Sequence, residues 1–299
     1  MPRPVRIAIC QFASEPPRPD DRHAQETNVH RNLARTASFV ADAAKQRADV
    51  IVFPEYWLTN IMADHLHLAT EEEEFVEDLQ QLAKKYGVDI VAGTIVEKSA
   101  GDNDKLFNTS RYVSKTGEVL GTYRKKNLWH PEKDYLTRCV REHTTFDTPK
   151  YRAGLLACWD LAWPEAFRPL LLDKVDIVFI PTCWVADDVG PIGEKWDPKA
   201  EGERAYLDSL VITRAYETEC CIVFVNCGGP RSQGYMGRSA VAMPFLGCVA
   251  KLPEPDEQLV VVEIDLDILP DAEATYKIRE DKMRQLRWAQ SEENDHYRD

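Results

Sequence analysis

The sequence predicts an α/β fold in which strands and helices alternate from end to end. Three observations carry that prediction. Short apolar runs, such as VRIAICQF at 5–12 and VIVF at 50–53, are bounded by proline or polar loops and read as buried strands. Longer stretches between them carry apolar residues at helical spacing. One pattern also occurs twice: ADVIVFPEYW at 48–57 and VDIVFIPTCW at 175–184 share Asp, four apolar residues, Pro, two variable positions and Trp.

Taken in order, the strand at 5–12 leads into a proline-bearing loop over 14–27. Val29, Leu33, Ala37, Val40 and Ala44 then form a helical stripe. The run at 50–53 is too short for a helix and stops at Pro54, which suits a central strand. Phe75, Leu79, Leu82 and Tyr86 mark the next helix, ended by Gly87. Strands follow at 88–93 and around Tyr112, with KTGE at 115–118 as a hairpin turn. A strand reaches its tip at Cys158 and a helix primed by Pro164 and Glu165 runs to Leu172. A strand at 175–180, a helix at 204–217 and a strand at 221–226 repeat the alternation. The stretch 239–264 reads as a meander of antiparallel strands, and a charged tail helix follows Pro270. The repeated pattern fits either two similar β–α–β halves facing one crevice or the general look of any buried strand before a proline. Ligands of open α/β sheets bind outside the carboxyl ends of strands.

Composition narrows the function classes. A hydrophobic share of 44% and a charged share of 29% are those of a globular protein. The net charge of −13 repels nucleic acid and anionic membranes, so neither is expected as a partner. No apolar run approaches a membrane span, and the amino terminus enters a strand with no signal-peptide pattern. Eight scattered cysteines, with no CxxC pair and no zinc spacing, predict buried free thiols in a reducing, cytoplasmic setting. No linker rich in Gly, Ser or Pro divides the chain. One domain over 1–299 is expected, with 270–299 as a tail.

Three side chains stand where chemistry is expected. Cys158 sits at a strand tip before a helix, where helix-terminal N–H groups are expected to lower a thiol pKa. Cys10, Cys220, Cys221 and Cys248 lie in or beside strand runs and read as core, while Cys139 and Cys227 lie in loops. Cys183 is the serious rival because it too follows a strand and precedes a tryptophan. Glu55 follows IVF and Pro54 among Phe53, Tyr56 and Trp57, so partial desolvation is expected to raise its pKa into the range of a general base. Lys125, between Arg124 and Lys126, belongs either to a solvated basic turn or to a strand that aims one amine inward and its two neighbours outward.

These segments resemble the signatures of the nitrilase superfamily of carbon–nitrogen hydrolases. Pro54-Glu55 after aliphatic residues, Tyr123-Arg124-Lys125, and Cys158-x-Asp160-x-x-x-Pro164-Glu165-x-x-Arg168 match its three blocks, in order and well separated. Asn127 stands where the family motif usually has histidine. TRAYETECCIVFVN and GRSAVAMPFLGCVAK look like its later parts, so the resemblance spans nearly the whole chain.

The resemblance implies a four-layer αββα sandwich, with two mixed sheets flanked by helices, and two similar halves. It implies a cysteine-dependent hydrolase: Glu55 as base, Lys125 as oxyanion stabiliser, Cys158 as nucleophile and the Trp159 N–H as a second oxyanion donor. Glu132, in WHPEKDYL, corresponds to a further glutamate beside the triad, and also fits an exposed turn. Asp160 and Glu165 are expected to bond loop and helix N–H groups, with Arg168 in a buried ion pair. Neither metal nor organic cofactor has a role in this chemistry. Trp57, Trp129, Trp159 and Trp184 flank the site loops and suit either an aromatic pocket for a small acyl group or core packing. Asp187 and Asp188 suit an amine-bearing substrate, or are simply acidic loop residues. Small aliphatic amides rank first as substrates, N-carbamoyl amines second and nitriles third, with an inactive scaffold as the alternative class. A homodimer is implied, with Trp288 of the tail as an apolar anchor.

Overall fold

The computed structural model describes residues 3–16, 22–61, 63 and 65–285. Among the described residues, thirteen strands form two sheets. The first half supplies β1 (Pro4–Gln11), β2 (Val50–Val52), β3 (Asp89–Val91), β4 (Ile95–Ser99), β5 (Asp102–Val113) and β6 (Val119–Arg124). The second supplies β7 (Thr145–Asp147), β8 (Arg152–Leu155), β9 (Ile177–Thr182), β10 (Cys221–Asn226), β11 (Ser239–Met243), β12 (Gly247–Leu252) and β13 (Gln258–Asp265). One sheet runs β13-β1-β2-β3-β5-β4, with β6 on β5; the other runs β12-β11-β10-β9-β8-β7. Helices α1 (Arg22–Lys45) and α2 (Val76–Tyr86) cover the outside of the first sheet. Helices α3 (Pro164–Leu172) and α5 (Glu201–Thr218) cover the second, while the short α4 (Gly190–Trp196) and α6 (Ile268–Tyr276) flank the site loops and follow β13. The result is an αββα sandwich.

Alternation along the strands builds the layers. Val5, Ile7 and Ile9 of β1 face the second sheet, in one apolar cluster with Phe179 and Val223. Ala8 and Cys10 face the helices, with Val40, Leu79 and Ala83. The Tyr112 ring joins the sheets, 5.9 Å from Phe179, and its hydroxyl meets that of Tyr151 at 2.7 Å. The helix stop expected at Gly87 is a left-handed C-cap at φ 67°.

The repeated pattern marks equivalent places. β2 is the middle of the parallel triple β1-β2-β3, and β9 is the middle of β8-β9-β10. Asp49 Oδ2 accepts the Arg6 N–H at 2.9 Å, and Asp176 Oδ2 accepts the Arg152 N–H at 2.9 Å. Both aspartates pin the start of the neighbouring strand, so the two triples are set in the same register by the same device. Their carboxyl ends then meet, with the Glu55 N–H donating to Thr182 O at 3.3 Å.

The closing meander needs correction. β11 and β12 pair as expected, but β13 crosses to the first sheet and lies antiparallel to β1, with Val5 opposite Ile264. Its inward face completes the core that β1 would otherwise leave open at a sheet edge. Helix α6 begins at Ile268, so Pro270 lies in its first turn, where no N–H is needed. Trp288 lies outside the described residues. Among the described residues no helix is long and apolar enough to cross a membrane.

Candidate active site

Four charged or nucleophilic side chains converge beyond the strand ends. Glu55 lies three residues past β2, Lys125 directly past β6, Cys158 three past β8, and Glu132 in a one-turn helix at Pro131–Asp134. All four are buried. Lys125 Nζ donates to Glu55 Oε1 at 2.9 Å and to Glu132 Oε1 at 2.8 Å. Asn108 Nδ2 donates to Glu55 Oε1 at 2.7 Å, and the Cys183 N–H donates to Glu55 Oε2 at 3.0 Å. Glu132 accepts from the Tyr56 hydroxyl and from the Trp129 N–H. An ammonium has three donors, so two carboxylates leave Lys125 one N–H for a ligand.

The alternation expected around Lys125 holds. Lys125 is 1% exposed, while Arg124 turns away to Glu72 and lies over the Phe107 ring. Lys126 is partly exposed. Burial alone would pull the Lys125 pKa down, but Glu132 and Glu55 outweigh it and hold it well above the ordinary value. Burial raises Glu55, Lys125 opposes this, Glu132 adds to it, and the net direction is up.

Cys158 has φ 46°, a left-handed conformation unusual for a side-chain-bearing residue, as the first residue of the short helix Cys158–Ala162 that follows β8. Its thiol donates to Cys183 O at 3.7 Å. The expectation of a lowered thiol pKa is corrected: burial, then the charge of Glu55, push it well above the usual range against the pull of Lys125. Burial of the sulfur is the larger cause, and the negative charge of Glu55 adds to it. Trp159 is the second residue of that turn, where backbone N–H groups lack intrahelical acceptors.

Asp160 anchors the turn. It accepts the Ala157 N–H at 2.9 Å, the Tyr123 hydroxyl at 2.7 Å and the Asn127 side chain at 2.8 Å. Asn127 thus donates to this carboxylate through both its side chain and its backbone N–H. Glu165 and Arg168, by contrast, are exposed on α3, so no buried ion pair forms there. The buried arginine beneath this helix is Arg214, which donates to Leu161 O and lies over the Phe167 ring.

A cavity of about 100 Å³ opens onto these groups. Trp129, Trp159 and Trp184 line it as a continuous wall, with ring centroids 4.5 Å and 5.1 Å apart. Glu203 holds the Trp184 indole N–H at 2.8 Å. Trp57 does not line it. It is fully buried beneath, against Phe53, with its N–H on Ala92 O. Tyr56 at φ 56° turns the chain so that Trp57 faces the helix layer. Gly93 makes room, since a Cβ there would stand 2.3 Å from that indole and 2.0 Å from Pro54 O. Asp187 is also corrected: it is exposed and packs toward Gly234, whereas its neighbour Asp188 lines the cavity.

Cys183, the rival thiol, is beside the site but points its sulfur at Cys227, 3.2 Å away; its backbone is what touches Glu55 and Cys158. Cys10, Cys220 and Cys221 are buried as expected, but Cys248 is exposed. Asp188, one of the two aspartates considered for an amine-bearing substrate, does reach the cavity, whereas Tyr56 and Asn108 are site residues that the sequence does not single out. Tyr56 and Asn108 carry only the signal of lying next to a motif or in a strand. No group of side chains suited to a metal ion occurs among the described residues.

Comparison with known proteins agrees with this architecture. The family model described as carbon–nitrogen hydrolase matches residues 6–272. The chain belongs to that family, within the nitrilase superfamily. It is 27% identical to a 2-oxoglutaramate amidase of Bacillus subtilis, over 84% of this chain and 92% of the relative. It is 30% identical to an (R)-stereoselective amidase of a Pseudomonas species, over 88% and 90%. Among solved structures, Saccharomyces cerevisiae Nit3, a member of branch 10 of the superfamily, superposes with a TM-score of 0.74 at 22% identity, covering 91% of this chain and 93% of that one.

Proposed function

We propose that this protein hydrolyses the C–N bond of a small carboxamide through a thioester on Cys158. The observation that carries the reading is the meeting of Glu55, Lys125 and Cys158, delivered by three different strand ends, in one small cavity. Glu55 takes the thiol proton as sulfur attacks the carbonyl carbon. The raised pKa values of both groups match a transfer that occurs with attack rather than before it. The third Lys125 N–H and the Trp159 N–H receive the oxyanion. Glu55 passes its proton to the departing nitrogen and ammonia leaves. Glu55 then deprotonates a water that attacks the thioester, giving the acid and restoring the thiol. Glu132, fixed by Tyr56 and Trp129, holds the ammonium in place.

Two relatives named as amidases support the amide class. The Cys158-Trp159-Asp160 segment and the carboxylate at Asp188 favour N-carbamoyl amines as the second reading. Ammonia release from a panel of short amides, carbamoyl amines and nitriles tests the assignment. Release from amides by the wild type and none by Cys158→Ala supports it. Release only from nitriles, or none from any class, overturns it.

A further inference from the structure

The cavity has one acidic group that the proposed chemistry does not use. Asp188 follows Trp184 in the loop after β9 and lines the same cavity as Cys158 and Lys125. Its Oδ2 is held by the Val185 N–H at 3.0 Å, and its Oδ1 makes no hydrogen bond to a described residue. Trp129, Trp159 and Trp184 form the adjoining wall. Among the described residues lining the cavity, Lys125 is the sole cation, and two carboxylates already neutralise it.

From this arrangement we infer that Asp188 selects substrates carrying an ammonium group at the end remote from the scissile C–N bond. The inference rests on the hydrolase reading above and names the substrate class for that site. A carboxylate with a free oxygen beside indole faces offers a cation both a charge-assisted hydrogen bond and cation–π attraction. A neutral amide finds only the apolar wall. An anionic amide meets Glu55, Glu132 and Asp188 with no free cation to receive it.

Three compounds of matched length separate these cases: γ-aminobutyramide, its neutral isostere valeramide, and glutaramate. Calorimetric binding to the Cys158→Ala protein reads recognition without turnover. The ammonium compound is expected to bind about tenfold or more tighter than valeramide, a margin usual for a charge-assisted hydrogen bond, with glutaramate weakest. Adding Asp188→Asn, which keeps an acceptor for the Val185 N–H, should bring the ammonium-to-neutral ratio close to one. Equal binding of the three compounds, a preference for glutaramate, or a ratio that survives Asp188→Asn would overturn the inference. Ammonia release by the wild type is measured in parallel on the same compounds. Preference in binding with no release sustains this inference and removes the hydrolase reading; release at equal efficiency from all three does the opposite.

Discussion

The Glu55 carboxylate accepts the backbone N–H of Cys183 at 3.0 Å, and the Glu55 N–H donates to Thr182 O at 3.3 Å. Glu55 and Thr182 occupy the same position in the two copies of the repeated pattern. The two halves are therefore stitched together at their equivalent strand ends, and the stitch orients the proposed base. Only the backbone of the second copy is needed for this.

Cys183→Ala should consequently retain most of the activity, since the replaced sulfur faces Cys227 rather than the reacting atoms. Cys158→Ala should abolish turnover while thermal stability stays near that of the wild type. Ammonia release and a melting curve for the two variants check this. The reverse ranking would make Cys183 the nucleophile.

Lys125 separates geometry from charge. Lys125→Arg is expected to fail as badly as Lys125→Ala, because a planar guanidinium does not fit between Glu55 and Glu132 with one donor left over. Losing one oxyanion donor costs about 3 to 4 kcal/mol of transition-state stabilisation, or hundreds-fold in kcat. Lys126→Ala should be nearly silent. Rates showing Lys126 essential and Lys125 dispensable would contradict the inward assignment.

Tyr56 tests whether Glu132 needs its full set of donors. Tyr56→Phe removes the hydroxyl and leaves a buried carboxylate one partner short, a loss of about 1 to 3 kcal/mol in folding stability. Denaturant unfolding reads that loss, and kcat should fall with it as Lys125 loses its fixed support. An unchanged midpoint and unchanged kcat would show that the Tyr56 contact does not matter.

Acidity should shape the rate in two places. The base form of Glu55 is needed, and its pKa is raised by burial. On a neutral amide, kcat/KM should therefore fall on the acid side with a midpoint above the ordinary glutamate value. Asp188 is pushed up to about 7 by burial, with Glu55 and Glu203 adding to the rise and Lys125 opposing it. Preference for an ammonium amide over its neutral isostere should therefore grow as pH rises through 7. Profiles of kcat/KM for both compounds check the two signs. An acid limb in the ordinary glutamate range, or a preference that shrinks with rising pH, would contradict them.

Much of the site was readable because its parts lie at strand ends. Periodicity finds such ends, and the Pro-Glu, Arg-Lys and Cys-x-Asp blocks fill them. What failed depended on single dihedral angles or on the choice of partner strand. Trp57 follows Glu55 by two residues, yet a positive φ at Tyr56 sends it to the helix layer. Asp187 and Asp188 are adjacent, and only the course of the loop decides which one enters the cavity. The strand character of β13 was legible but its sheet was not, because an antiparallel apolar strand pairs equally well with either edge. The direction of the thiol pKa is not legible because sequence places a helix turn near Cys158 but shows neither the burial of its sulfur nor the nearness of Glu55.

The central claim is that Cys158 carries the acyl group, and the direct test is to catch it. The wild type is quenched with acid during turnover of a short amide that releases ammonia, and its peptides are analysed by mass spectrometry. The account predicts the acyl mass on the peptide containing Cys158, present during turnover and gone once substrate is exhausted. An acyl group on Cys183 instead, or undiminished ammonia release by Cys158→Ala, would contradict it.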